Sequence, residues 1–220
     1  APAINYTAAN GSVWNGSVMG LRYGAQPVGN VKLKTDWLSV FGGALKSSVA
    51  VTDGGVLASG NARIGLDGGI NLSNIKVRGN TSDLLSLKQD IRTLGGDFSL
   101  SLKKLTLKSG ACRKAESGEV WTSILTRFEQ KYDWKGPELR GPITCENGRI
   151  VVNMTGTGER GVTVSAYLAF DLNANGTFRA EIEKASEKVA QAATVLGFVT
   201  LGDKLVYEHS VRRTGGGANP

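Results

Sequence analysis

Histidine is almost absent from this chain of 220 residues, and the one copy, His209, leaves acid–base and triad chemistry a single imidazole to recruit. That imidazole sits in Leu205-Val206-Tyr207-Glu208-His209-Ser210-Val211, a run with strand period, where it falls with Leu205 and Tyr207 and opposite Glu208. It reads as a packed or half-exposed sheet residue. Proline is scarce, at 5, which excludes a collagen-like or proline-rich linker composition. Runs of five like charges are missing, and so is any apolar window near the roughly 18 residues of a spanning helix. No signal peptide is visible either. Two cysteines without a histidine cluster exclude a zinc site, and their spacing excludes a CxxC redox motif.

What is abundant is glycine, 30 residues, about twice ordinary usage, together with an excess of positive charge, +7 with a pI near 9.5. The basic residues are dispersed: Lys32 and Lys34 alternate with Val31 and Leu33, as on the wet face of a strand. Nucleic-acid binding is therefore not expected, whereas solubility or attraction to an anionic surface is.

Cys112 and Cys145 each lie beside strand-like alternation and turn residues, a placement suited to stapling two β elements in an oxidising compartment. The alternative is a pair of unrelated buried thiols. Closing a loop of 33 residues would contribute about 3.5 to 4 kcal/mol in the chain-entropy model. If the bond forms, an export or anchor segment is expected to have preceded this chain.

The dominant period is two. Val56, Ala58, Gly60, Ala62, Ile64 and Leu66 share one face, and Phe98, Leu100 and Leu102 another, until the phase slips at Lys103-Lys104 before Leu105 and Leu107, which predicts a bulge or bend. Ile150, Val152 and Met154 alternate, as do Val162 through Leu172. Asp53-Gly54-Gly55, Asp67-Gly68-Gly69, Asn147-Gly148 and Asn175-Gly176 supply hairpin turns with positive φ. A short helix is expected after Ser82-Asp83 through Leu84, Leu85 and Leu87, and a longer one from about Ala185 to Leu196, its Val189, Ala192, Ala193 and Leu196 covering one end of the sheet and Gly197 ending it. The expected fold is mainly β: a curved antiparallel sheet, or a partly open β-sandwich or barrel, with a C-terminal helix packed on it and one disulfide. One domain over 1–213 is expected, with residues 214–220 a disordered tail. Gly11-Ser12-Val13-Trp14 recurs as Gly118-Glu119-Val120-Trp121, followed by Asp36-Trp37 and Asp133-Trp134, which raises a second partition into similar halves, about 1–107 and 108–213.

Motifs that would carry chemistry dissolve on inspection. Gly156-Thr157-Gly158-Glu159-Arg160-Gly161 matches a dinucleotide fingerprint, but a strand-like run follows where the pyrophosphate would need a helix, so it reads as a hairpin connection. Glu181 and Glu183 could converge on one strand, yet Arg179 and Lys184 beside them mark an ordinary charged surface. Seven N-x-S/T triplets, starting at Asn5, Asn10, Asn15, Asn71, Asn80, Asn153 and Asn175, arise by chance in a composition so rich in Asn, Gly and Ser. No catalytic residue, metal ligand or cofactor is expected.

Taken in order, Gly11, Trp14 and Gly16, then Leu21-Arg22-Tyr23-Gly24, Gly79, Leu94-Gly95-Gly96, Cys112, Gly118 and Trp121, Leu139-Arg140-Gly141, Cys145 with Gly148, and finally Leu196 and Gly197 resemble one family, protein N of the type II secretion system of Gram-negative bacteria. The resemblance implies a non-enzymatic periplasmic component of the general secretion pathway, supporting transport of folded proteins across the outer membrane. It implies an N-terminal inner-membrane anchor that this chain lacks, and contacts with other inner-membrane and periplasmic components of the machine. It names no interaction surface. Two other readings compete: a periplasmic carrier whose groove, lined by Val162, Val164, Leu168 and Phe170, holds an acyl chain, and an outer-membrane barrel, disfavoured by the helix and by the missing aromatic girdles.

Overall fold

Alternation of apolar and polar residues, punctuated by turns that need positive φ, produces an antiparallel meander. A computed structural model describes residues 4–85, 87, 89–129, 134–173 and 175–211. Its strands are β1 (Ile4–Asn5), β2 (Ala8–Gly11), β3 (Asn15–Tyr23), β4 (Gln26–Asp36), β5 (Ala44–Thr52), β6 (Val56–Gly65), β7 (Ile70–Asn80), β8 (Asp97–Lys108), β9 (Ala111–Thr122), β10 (Leu139–Glu146), β11 (Arg149–Thr157), β12 (Thr163–Phe170), β13 (Gly176–Glu183), β14 (Val199–Leu201) and β15 (Lys204–Val211). All 15 belong to one sheet. From β3 to β13 each strand pairs with its sequence neighbour, then β13 pairs with β15 and β15 with β14. The sheet is open, with β1 and β2 against β3 at one edge and β14 at the other.

Three of the predicted turns form as expected. Asp53 (φ 58°), Gly68 (φ 72°) and the pair Asn147 (φ 51°) and Gly148 (φ 79°) take the left-handed backbone between β5 and β6, β6 and β7, and β10 and β11. The fourth differs. Gly176 already belongs to β13, and the turn before it is held by Asp171, whose carboxylate accepts from the Asn173 and Asn175 amides at 2.8 and 2.9 Å and from the Asn175 side chain at 3.0 Å. The Gly156–Gly161 motif is a hairpin connection, a 3-10 turn at Glu159–Gly161 between β11 and β12.

The phase slip expected at Lys103-Lys104 extends over three strands. Ser73, Lys104 and Glu116 are in register, as are Ile75, Leu102 and Gly118, so Asn74, Lys103 and Ser117 form a column between them. Asn74 and Ser117 both have positive φ, at 52° and 50°. Each strand spends one extra residue there, which keeps Leu72 and Ile75, Leu105 and Leu102, and Ala115 and Val120 on the same side of the sheet.

Helices occupy one end of the sheet. The short one, α1 (Gln89–Leu94), begins later than expected: Leu84 and Leu85 follow a 3-10 turn at Thr81–Asp83 that Asn80, not Ser82, caps. The longer one, α2 (Glu187–Val195), starts where Ser186 accepts from the Val189 amide at 3.4 Å and stops at Leu196, before Gly197 at φ 95°. Val189 and Ala193 bury against Val162, Val164, Ala166, Ile182 and Leu205. Leu125 and Trp134, from the connection between β9 and β10, pack over the same cluster. Residues 1–3, Asp133 and the tail 214–220 lie outside the described residues.

Candidate interaction surface

Cys112 and Cys145 are bonded, with Cα atoms 5.5 Å apart. The place is informative. β9 and β10 pair only from Thr122 opposite Leu139 to Glu119 opposite Pro142, and no ladder pair joins them beyond the column at Ser117. The disulfide and a hydrogen bond from the Cys112 amide to the Gly148 carbonyl, 2.8 Å, rejoin the two strands at the far end of that gap. A second cluster, of Leu102, Leu105, Leu107, Cys112, Ile143 and Val152, fills the space beneath it.

The landmark residues map onto turns and close approaches. Gly11 and Gly16 face each other at the root of the β2–β3 hairpin, whose tip holds Trp14. Gly118 lies where a side chain would meet Ile143 and Leu102, each at 2.7 Å from its would-be Cβ. Gly141 sits closer still against backbone, its would-be Cβ meeting the Asn153 carbonyl. Trp121 donates its indole N–H to Glu138 at 2.8 Å. Leu196 ends α2 through bonds to the Ala192 and Ala193 carbonyls, and a Cβ at Gly197 would stand 3.4 Å from the Tyr207 ring. The structure brings together Cys112, Cys145 and Gly148, and separately Gly11 with Gly16, but gathers the landmark residues into no single site. The four tryptophans have unlike settings: Trp14 at a hairpin tip, Trp37 opening a 3-10 turn, Trp121 within β9, and Trp134 against Phe128 with ring centroids 6.2 Å apart.

Residues weighed for chemistry serve other ends. His209 is exposed on β15 opposite Phe178, beyond the reach of α2, rather than packed. Glu181 accepts from Arg179 at 2.7 Å and Lys204 at 3.4 Å, while Glu183 takes Lys204 at 2.6 Å. Lys204 is the partner that sequence distance hid: strand pairing brings it opposite Glu183, and the Glu183 carboxylate raises its amine above the ordinary lysine value. Val162 and Val164 do not line an open groove; they are buried beneath α2 and the β9–β10 connection.

Polar and apolar faces separate cleanly across β4–β8. Val31, Leu33, Val49, Val51, Ala58, Ala62, Ile70 and Leu72 share the face that continues into the buried clusters, but no helix covers them here and none is fully buried. The opposite face carries Lys32, Lys34, Lys46, Arg63, Lys76 and Arg78, all exposed and none with an ion-pair partner among the described residues. Shallow depressions between them are floored by Ser48, Ser59, Asn61 and Ser73. Residues 1–108 hold 12 Lys and Arg against 6 Asp and no Glu, so cations dispersed in sequence are gathered by the fold.

At the end of the sheet away from α2, the hairpin connections expose large apolar side chains. Trp37–Gly42 is a 3-10 turn capped by Asp36, whose carboxylate accepts from the Leu38 amide at 3.1 Å. Its neighbours are joined to it by backbone: the Thr35 amide donates to the Trp14 carbonyl at 2.7 Å, and Leu66 donates to Gly43 at 3.3 Å.

A single open antiparallel sheet with one disulfide and a C-terminal helix packed on it defines a mainly β protein. The chain belongs to the type II secretion system protein N family, whose model matches residues 2–203. No curated protein and no solved structure matches it. Membership makes it a component of type II secretion and a protein-transport factor, and implies other parts of that machinery as partners. No helix of the described residues is long and apolar enough to cross a membrane.

Proposed function

We propose that this protein is a non-enzymatic, periplasmic, envelope-associated part of the type II secretion machine that works by binding other components through its open sheet edges. The observation that carries the reading is the unclosed sheet. β14 ends the strand order, so one row of its backbone amides and carbonyls has no strand partner among the described residues. Val199 and Leu201 beside that row are 64 % and 63 % exposed. Among the described residues neither a charge on β14, a proline nor a covering element blocks the edge, which leaves it open to a strand from another chain.

Type II secretion in cells whose only copy carries Thr200→Pro tests this reading. Proline removes an amide from the edge, and secretion should fall sharply with the protein still present at normal level. Undiminished secretion, with the variant folded, would remove the edge from the account. A hydrophobic-ligand carrier remains the second reading, favoured by the uncovered apolar face of β4–β7 rather than by Val162 and Val164. Lipid recovered in stoichiometric amount with the purified protein would support it.

A further inference from the structure

The hairpin rim carries an apolar cluster that the fold leaves uncovered. Phe41 is 83 % exposed, Leu66 86 %, Val13 73 % and Trp37 51 %. They are one patch: Trp37 and Phe41 pack edge to face with centroids 6.1 Å apart, and the hydrogen bonds from Thr35 to Trp14 and from Leu66 to Gly43 tie three hairpin connections side by side. Immediately behind the patch stand Lys34, Lys46 and Arg63, lining the same depression as Trp37. Asp67 is neutralised by Lys108 at 3.2 Å, and Asp36 is occupied as a helix cap.

Tryptophan and phenylalanine at loop tips, backed by unpaired cations, match the two layers of a bilayer surface: acyl boundary for the rings, anionic headgroups for the amines. We infer that this rim docks on an anionic lipid bilayer, with Trp37, Phe41 and Leu66 entering the interfacial region and Lys34, Lys46 and Arg63 at headgroup level. A protein partner would also bury the apolar residues. The charge excess on the adjoining face favours the lipid surface, because Lys32, Lys34, Lys46, Arg63, Lys76 and Arg78 continue over four strands behind the rim, against the single carboxylate of Asp36, which lies opposite Lys46 and caps the 3-10 turn. The inference stands apart from the edge-binding role and survives if that role fails.

Flotation of the 220-residue chain with vesicles tests it. Vesicles containing phosphatidylglycerol should carry the protein at low salt, and phosphatidylcholine vesicles should not. Phe41→Asp with Leu66→Asp should weaken binding roughly a hundredfold, since two side chains of this size lose their apolar environment. Both residues are exposed, so the variant should melt like wild type. Lys34→Glu with Lys46→Glu should abolish the preference for the anionic lipid. In wild type, brominated lipid should quench indole emission, and Trp37→Phe should remove most of that quenching. Failure of wild type to float, or equal flotation of Phe41→Asp/Leu66→Asp and wild type, overturns the proposal. So does binding that ignores headgroup charge.

Discussion

Gly118 shows what a single residue contributes. It lies on β9 at the far side of the Ser117 column, where Leu102 of β8 and Ile143 of β10 close over its backbone. Gly118→Val should lower stability by about 1 to 3 kcal/mol through overpacking, read as a lower urea midpoint with unchanged slope. Asp171 acts through its carboxylate. Hydrogen bonds from Asn175 hold its pKa below the ordinary value, so its contribution is present above the unfolded carboxylate pKa and is lost as pH falls through the folded one. Asp171→Asn should flatten the acid limb of a stability–pH profile; an unchanged limb would show that the turn does not depend on that charge. His209 has neither burial nor a charged neighbour on its own strand face. His209→Gln should leave folding and secretion at wild-type level.

Among the elements, the gap between β9 and β10 makes the disulfide matter most. With the ladder lost beyond Glu119 and Pro142, the covalent link takes over the work of strand pairing. Unfolded, unreduced protein should show no reactive thiol, and Cys112→Ala with Cys145→Ala should cost about 3.5 to 4 kcal/mol by loop entropy. Two free thiols would contradict both the staple and the oxidising compartment. Period-two runs made β4, β6, β8, β11, β12 and β15 legible in advance, because apolar residues recur on one face of each, even where, as at Val151 in β11, a residue of the other face is buried as well. The helix α2 was legible from its apolar stripe and from Gly197. Less legible were Asn74 and Ser117: a bulge matched by bulges on neighbouring strands shows in sequence only as a phase slip, and Lys103-Lys104 alone displayed it plainly. The Lys204 pairs with Glu181 and Glu183, and the exposure of His209, depended on strand register, which local pattern does not specify.

At the scale of the whole molecule, one sheet serves two environments. Toward its C-terminal half the apolar face is sealed by α2 and the β9–β10 connection; toward its N-terminal half it is open, with cations on the reverse side and aromatic tips at the rim. Composition revealed the basic excess but not its location, since that depends on which strands share a face. The account's central claim is that this family member works by contact along an open sheet edge. Placing a photo-crosslinking amino acid at Thr200 in secreting cells tests it most directly. The account predicts a discrete adduct with another component of the type II machine, absent when the same group is placed at the buried Ala193. A strong adduct with secreted substrates alone, or none while secretion continues, would contradict it.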